Sequence, residues 1–390
     1  MQSIAGLLEF GGHLRGLIAA TPTGRTSWSD ENFGDLALKL FALQYEHNEA
    51  YRRLCESRNE VQSRKIEDSR EIPAVPASAF KDLEMTCLME ADRTRVFHSS
   101  GTTEHRPSRH FHSAESLLVY EESLLAWFSR QFQIEQRIPI VCLTPPRELS
   151  PHSSLVYMFE SLRRKFGSER SLFLGRIDDD GGWELKMEAA VEALQRCVVM
   201  EQSILILGTA FSYVHLLDYL IGRNISFKLP AGTLAIETGG YKGRSRAVPK
   251  QELHQLICER MGISQTNIIC EYGMSELSSQ AYDRVPQQFC SSRRKEAHSP
   301  SSQKDQSLLT SAAKRVFHFP PWTRVQVVSP ETGREVIDGE TGLIRVFDLA
   351  NVFSVMAIQT EDLGIRRGDG FELVGRATLA EVRGCSLMVV

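Results

Sequence analysis

Short apolar runs alternate with helical periodicity over most of this chain. From about residue 94 onward, four runs have the length and apolar composition of buried strands: 138–144, 204–209, 234–238 and 267–272. Between them lie segments whose apolar residues recur every three or four positions. Buried strands that alternate with helices predict an α/β fold.

Two of the intervening segments also carry helix start and stop signals. In 249–261, Pro249 fits the first helical position, and Gly262 stands where a left-handed C-cap belongs. In 114–132, Ser113 fits an N-cap, because its hydroxyl can accept a hydrogen bond from the first helical turn. We therefore expect both segments to be amphipathic helices that pack on the sheet.

The pattern divides the chain into five parts. Residues 1–94 are largely helix-prone, 95–290 form the α/β core, 291–315 are a polar segment, 316–376 are β-rich, and 377–390 are a tail. The polar segment has six basic residues against two acidic ones. A nucleic-acid or membrane patch is one interpretation, but a solvated flexible linker fits better, because few large apolar residues are present to be buried.

The overall composition is that of an ordinary globular protein. The 390 residues carry 45 Lys and Arg against 49 Asp and Glu, and 42% are hydrophobic, which excludes a disordered or coiled-coil chain. The near-neutral charge gives no reason to expect nucleic acid as a partner. Eight cysteines without a C-x-x-C pair, and no secretory signal, predict a reduced cytoplasmic protein. The most apolar window, 204–221, is expected to be a strand and a helix rather than a membrane span.

A hydroxyl-rich loop follows the predicted strand at 95–97. Its residues are Ser99, Ser100, Gly101, Thr102 and Thr103. Hydroxyls and backbone N–H groups around a glycine can bind a phosphate, although the Walker A spacing is absent. An ordinary Ser/Thr turn is the alternative.

Four histidines surround this loop: His98, His105, His110 and His112. No carboxylate or cysteine stands at ligand spacing, so we favour a structural role over a metal site. His110 and His112 are expected on one face of a strand.

Ser275 and Glu276 follow the predicted strand 267–272, at the end where α/β sheets bind ligands. A carboxylate there can hold Mg²⁺ while the adjacent hydroxyl bonds a phosphate oxygen. A nucleophile elbow is disfavoured, because Leu277 replaces its last glycine. Glycines also follow the strand at 234–238, where the backbone can approach a ligand closely.

Six motifs occur in a fixed order: PAVPASAFK, FHSSGTT, ETGGYKGR, EYGMSELSSQ, DLANVFSVMAIQTEDLG and RGCSL. From about residue 73 to 386, the chain resembles the acyl-protein synthetases of bacterial luminescence, within the adenylate-forming superfamily. The resemblance implies an α/β fold, the large domain of adenylate-forming enzymes, with mixed sheets, flanking helices and a β-rich C-terminal subdomain. The full C-terminal lid domain of acyl-CoA synthetases, with its catalytic lysine, is expected to be absent.

The resemblance also implies residue roles. Ser99, Ser100, Gly101, Thr102 and Thr103 match the phosphate loop; Gly239 and Gly240 match the backbone beside adenine; Tyr272 matches the aromatic that stacks on adenine; Ser275 faces the α-phosphate; Glu276 binds Mg²⁺; Asp362 and Arg376 contact ribose; and Cys385 accepts the acyl group. Without the resemblance, Asp362 and Arg376 would read as a surface ion pair and Cys385 as a tail cysteine. Glu104, His105 and Arg106 depart from the superfamily loop.

The implied reaction has two steps. ATP and Mg²⁺ convert a carboxylic acid, expected to be a long-chain fatty acid, into an acyl-adenylate, and Cys385 then takes the acyl group as a thioester. A partner protein such as an acyl reductase would receive it. Two alternatives remain at this point: an acyl- or aryl-CoA ligase of the phenylacetate–CoA ligase type, and a non-catalytic nucleotide-binding protein.

Overall fold

The computed structural model describes residues 4–21, 28–57, 66–99, 106–179, 181–240, 245–283 and 315–377. Within these ranges the chain forms nine α-helices and fifteen strands. The helices are α1 (Ala5–Ala20), α2 (Asp30–His47), α3 (Glu49–Ser57), α4 (Ala79–Asp82), α5 (Ala114–Phe132), α6 (Ser154–Phe166), α7 (Met187–Val199), α8 (Ala210–Gly222) and α9 (Lys250–Met261).

The strands come from all parts of the described chain. They are β1 (Val75–Pro76), β2 (Arg95–His98), β3 (Arg109–His112), β4 (Ile140–Cys142), β5 (Leu172–Phe173), β6 (Gly175–Ile177), β7 (Trp183–Leu185), β8 (Leu205–Thr209), β9 (Leu234–Thr238), β10 (Ile268–Tyr272), β11 (Ala281–Tyr282), β12 (Thr323–Val328), β13 (Thr341–Asp348), β14 (Ala357–Arg367) and β15 (Gly370–Arg376). The four strands expected from apolar runs are confirmed as β4, β8, β9 and β10.

A six-stranded sheet forms the centre of the α/β region. Its order is β11-β10-β9-β8-β4-β5, and its neighbours are parallel except for the β10–β11 pair. Helix α8 connects β8 to β9, and α9 lies between β9 and β10, so β8, β9 and β10 end at the same edge. The mixed α/β fold predicted from the sequence is therefore confirmed.

The second sheet is built from distant parts of the chain. Strands β12, β13, β14 and β15 are antiparallel neighbours, and β1 joins the edge of β14 in parallel. Val75 lies opposite Ile358, and Pro76 lies opposite Gln359. Residues near 75 thus complete a sheet whose other strands begin after residue 322.

The expected helix signals produce the expected local structure. Ser113 caps α5, where its hydroxyl accepts from the Ser116 backbone N–H while the Ser116 side chain accepts from the N–H of Ser113. Gly262 ends α9 with φ of 70°, in the left-handed region that favours glycine. Pro249 is the residue before the first helical position rather than the first one, a difference within the usual uncertainty of helix ends.

The apolar window 204–221 divides as expected into β8 and most of α8. All five residues of β8 are buried, and so are eight of the thirteen residues of α8. Among the residues that the structure describes, no helix is both long enough and apolar enough to cross a membrane.

Candidate active site

The sequence motif around Ser275 lies where β10 ends, at the edge shared with β8 and β9. Strand β10 stops at Tyr272, and Gly273 then brings the backbone close to the side chain of Glu271. A Cβ on Gly273 would lie 2.4 Å from Glu271 Oε1, so any other residue here would force the Glu271 carboxylate to move. The chain then turns to place Ser275 and Glu276 inside the protein, 6% and 5% exposed.

A short chain of hydroxyls leads to the Glu276 carboxylate. Ser275 Oγ donates to Glu276 Oε2 at 3.0 Å, and Ser108 Oγ lies 3.2 Å from Ser275 Oγ. Burial raises the pKa of Glu276 above its usual value, and hydrogen bonds from the Ser108 and Ser275 hydroxyls oppose the rise. No ion pair with Glu276 occurs within the described ranges, so two hydroxyls and a backbone N–H, rather than a contacting cation, hold this buried carboxylate.

Two side chains hold the backbone of this motif. His110 Nδ1 donates to the Ser275 carbonyl oxygen at 2.9 Å, and Asn351 Nδ2 donates to the Glu276 carbonyl oxygen at 2.9 Å. Burial lowers the pKa of His110 to about 4, so its ring is neutral near pH 7. His110 and His112 both point inward from β3, as the sequence predicted. The motif is therefore fixed from β3 on one side and from the segment after β13 on the other.

The base of the hydroxyl-rich loop lies beside the same motif. Ser108 N–H donates to Ser99 Oγ at 2.9 Å, and Ser99 N–H donates to the Ser108 carbonyl at 3.3 Å. These bonds close the loop next to Ser275, because Ser108 touches both residues. Four predicted loop residues lie outside the described residues: Ser100, Gly101, Thr102 and Thr103.

Tyr272 and Asp362 meet across the two sheets. The Tyr272 hydroxyl donates to Asp362 Oδ2 at 2.9 Å, although the residues are 90 positions apart. Burial raises the pKa of Asp362, and the bond from Tyr272 opposes the rise. Arg376 is exposed, with its Nε 3.9 Å from Asp362 Oδ1 and its guanidinium 3.7 Å from Glu361.

The Tyr272 ring is largely enclosed by aromatic side chains. Its centroid lies 5.2–6.2 Å from those of Phe317, Phe319 and Phe371. Gly239 directly follows β9, which pairs with β10 so that Thr238 lies opposite Glu271. Gly239 and Gly240 are therefore exposed next to the end of the strand that carries Tyr272. Gly239 has φ of 68°, which favours glycine at this turn.

The remaining predicted site residue, Cys385, lies outside the described residues. Of the six cysteines within them, five are buried and Cys258 is half-buried. Burial raises the pKa of the thiols of Cys87, Cys142 and Cys270, which disfavours the reactive thiolate.

Sequence reasoning did not single out three residues of this site: Ser108, His110 as a support of Ser275, and Asn351. Ser108, just before β3, and His110, on β3, are both buried, whereas the apolar Phe111 between His110 and His112 is half-buried. The hydrophobic pattern therefore did not show that the polar residues face inward. Nothing local marks Asn351, because its partner Glu276 is 75 residues away.

Comparison with known proteins identifies relatives over nearly the full chain. A profile of the family described as "Acyl-protein synthetase, LuxE" matches residues 26–390. The long-chain-fatty-acid–luciferin-component ligase of Aliivibrio fischeri is 25% identical, with 92% of this chain and 89% of that protein aligned. The ligase of the same name from Vibrio harveyi is 21% identical over the same shares of both chains.

The fold also matches a solved structure. The 2-hydroxyisobutyryl-CoA ligase, in an open conformation with 2-HIB-AMP and CoA, superposes with a TM-score of 0.58. The match covers 88% of this chain and 74% of that chain at 13% sequence identity. At that identity the similarity establishes the fold.

Proposed function

The chain belongs to the LuxE family of acyl-protein synthetases, and on that premise we propose that it activates a long-chain fatty acid with ATP and passes the acyl group to the thiol of Cys385. The observation that carries the first half of this proposal is the chain Ser108–Ser275–Glu276. It joins the base of a hydroxyl-rich loop to a buried carboxylate at the carboxyl ends of parallel strands, where α/β proteins bind nucleotides.

The nucleotide would lie across the edge where β9 and β10 end. The adenine would lie between Tyr272 on one side and the backbone of Gly239 and Gly240 on the other. Asp362 and Arg376 would contact the ribose. The bond between Tyr272 and Asp362 supports this arrangement, because it holds the two side chains together before any ligand arrives. The loop of residues 99–103 and the Ser275 hydroxyl would bind the phosphates.

The site fits a magnesium ion at Glu276. Its carboxylate is buried, accepts hydrogen bonds from two hydroxyls and a backbone N–H, and has no ion pair in the described part of the chain. Oxygen ligands of this kind are what Mg²⁺ prefers. When bound, the ion would neutralise charge on the phosphate oxygens.

In the first step, a carboxylate oxygen of the acid attacks the α-phosphorus of ATP. The bond from that phosphorus to the bridging oxygen breaks, and pyrophosphate leaves with the electron pair. The protein contributes by positioning, since Ser275 and the loop residues hold the phosphate oxygens in line with the attacking group. His110 and Asn351 keep the Ser275–Glu276 backbone in place.

In the second step, the Cys385 thiolate attacks the acyl carbonyl carbon of the adenylate. The carbon–oxygen bond to AMP breaks, and AMP leaves as the thioester forms. The acyl group then passes to a partner protein, such as an acyl reductase. Cys385 suits this role because Arg383 is two positions away, and a neighbouring cation favours the thiolate. The six free cysteines of the described residues suit a reducing compartment such as the cytoplasm.

Replacing Cys385 by Ser separates the two steps. We expect Cys385→Ser to keep acid-dependent ATP–pyrophosphate exchange close to wild type, because adenylation needs only the nucleotide and acid sites. The variant should lose hydroxylamine-labile acyl label, since a serine hydroxyl without a positioned base is a much weaker nucleophile.

Cys258→Ser is the matched control, because Cys258 is the one half-buried thiol of the described residues and should not affect labelling. Stoichiometric thioester label on Cys385→Ser would place the acceptor at another cysteine. Acyl-CoA accumulation with an unlabelled protein would identify a CoA ligase, and no exchange with any fatty acid would disprove adenylation itself.

A further inference from the structure

A second cluster of chemically active side chains lies beneath the nucleotide site. Glu237 of β9, His254 of α9 and Cys270 of β10 meet in the core, none more than 1% exposed. The Cys270 thiol donates to Glu237 Oε1, and His254 Nε2 lies 3.2 Å from the same oxygen. None of the three touches the Ser108–Ser275–Glu276 chain, so the reaction proposed above does not use them.

The three side chains present one ligand atom each to a common point. All three atoms lie within 4.8 Å of one another, with His254 Nε2 3.9 Å from Cys270 Sγ. For Zn–N and Zn–O bonds of about 2.0–2.1 Å and a Zn–S bond of about 2.3 Å, tetrahedral angles separate ligand atoms by roughly 3.3–3.6 Å. The observed 3.2 Å and 3.9 Å are close to those separations. The Cys270 thiol and Glu237 Oε1 are in direct hydrogen-bond contact, so these two atoms would have to move apart to admit an ion.

The charges around the cluster are balanced both with and without a divalent ion. In the structure, Lys250 Nζ lies 3.3 Å from Glu237 Oε1 and neutralises that carboxylate, while Cys270 keeps its proton. A bound Zn²⁺ would be neutralised by the Glu237 carboxylate and the Cys270 thiolate, whose proton goes to solvent. Lys250 is 45% exposed, so its ammonium can turn outward and leave a fourth position open.

Lys250, which contacts both Glu237 and Cys270, would have to move away from these ligand atoms, whereas the other neighbouring groups do not compete for them. Asp283 Oδ1 accepts from the backbone N–H of Cys270, and Asp283 Oδ2 pairs with Arg315. Tyr213 donates its hydroxyl to the Ile206 carbonyl oxygen at 2.9 Å. The carboxylate, imidazole and thiol of the cluster are therefore the atoms available to a cation.

We propose that Glu237, His254 and Cys270 form a buried zinc site with three protein ligands. Imidazole and thiolate favour zinc over magnesium or calcium, which bind oxygen ligands. The ion would connect β9, α9 and β10. Its ligand Glu237 lies two residues before Gly239, and its ligand Cys270 lies two residues before Tyr272. It would thus hold together the strand ends that form the adenine side of the active site.

The test measures metal in the full-length chain, purified without a histidine tag after growth in zinc-supplemented medium. Plasma mass spectrometry should find about one zinc per chain in wild type and less than about a tenth of that in Cys270→Ser and His254→Gln. Cys142→Ser is the matched control, because Cys142 is also a buried strand cysteine of the same sheet but lies outside the cluster. It should retain the zinc of wild type.

Cobalt gives a second measurement that does not depend on the variants folding. Co²⁺ loaded into the wild-type protein should produce a thiolate charge-transfer band, and adding a chelator should remove the band and lower the melting temperature. Folded wild-type protein with neither zinc nor a cobalt band would overturn the proposal and identify the cluster as a metal-free hydrogen-bond network. Full zinc content in Cys270→Ser would overturn it as well, because the metal would then lie elsewhere.

Discussion

Glu276 combines burial, a raised pKa and the absence of an ion pair within the described residues, which are the properties expected of a carboxylate reserved for a metal. We expect Glu276→Gln to reduce ATP–pyrophosphate exchange by roughly 10²–10³-fold, the usual cost of one transition-state contact. The fold should survive, because glutamine keeps the shape and Asn351 still holds the backbone.

Exchange rates measured over a magnesium titration check this prediction, with Glu121→Gln as control. Glu121 is a partly buried carboxylate of α5 that binds Tyr157 and Arg164, away from the site. Near-wild-type exchange by Glu276→Gln at limiting magnesium would contradict the metal role.

His110 makes the site sensitive to acid. Burial depresses its pKa from 6.5 to about 4, so between these values the unfolded chain takes up a proton that the folded chain does not. Stability from this group is therefore complete above about pH 6.5 and is lost as the pH falls toward 4. The loss at pH 5 is on the order of 2 kcal/mol.

The check compares urea unfolding of wild type and His110→Asn at pH 7.5 and pH 5. Asparagine can still donate to the Ser275 carbonyl but does not titrate, so the variant should lose less stability on acidification. Glu271, whose pKa burial raises to about 7, acts in the opposite direction in both proteins and cancels in the comparison. Equal losses would show that His110 is protonated at little cost in the folded state.

At the scale of single elements, the start of α5 is fixed by the Ser113–Ser116 capping box. Replacing Ser113 by Ala should lower the free energy of unfolding by about 1 kcal/mol, because an N–H of the first turn loses its acceptor. Ser129→Ala, inside the same helix, should be neutral or slightly stabilising, since alanine favours helices. Urea denaturation of both variants measures the difference, and equal stabilities would show that packing alone sets the start of the helix.

Elements with strong local signals were predictable from the sequence. Residues close in sequence determine each of these elements: the strands at 204–209 and 234–238, the helix start at Ser113 and the helix end at Gly262. The three partners of the zinc cluster were not predictable, because Glu237, His254 and Cys270 are spaced irregularly and meet only once β9 and β10 pair. The support of Ser275 by Ser108 and His110 was missed for the same reason, since more than 160 residues separate them.

At the scale of the whole molecule, buried hydrogen bonds connect the N-terminal helices to the C-terminal sheet region. Gln44 is fully buried; its Nε2 donates to the carbonyls of Asn351 and Val352, and its Oε1 accepts from Met356 N–H. Asn48 Nδ2 reaches the Ser354 carbonyl at 3.4 Å. No sequence pattern predicts these contacts, because they depend on how distant elements pack.

Replacing Gln44 by Ala should destabilise the protein by about 3 kcal/mol, since several buried backbone groups lose their only side-chain partner. Gln255→Ala is the control, because Gln255 is exposed on α9 and hydrogen-bonds only to Glu259. Urea unfolding compares the two. If Gln44→Ala lowers the free energy of unfolding no more than Gln255→Ala does, water replaces the hydrogen bonds of the Gln44 side chain.

The same long-range bonds set the order in which a newly made chain can fold. Gln44 emerges from the ribosome early, but its acceptors at 351 and 352 are more than 300 residues further along. At roughly 5–20 residues per second, synthesis of the intervening chain takes about 15–60 s. The hydrogen bonds of Gln44 can therefore form only late in synthesis, so the packing of α2 against the segment after β13 is completed among the last steps of folding.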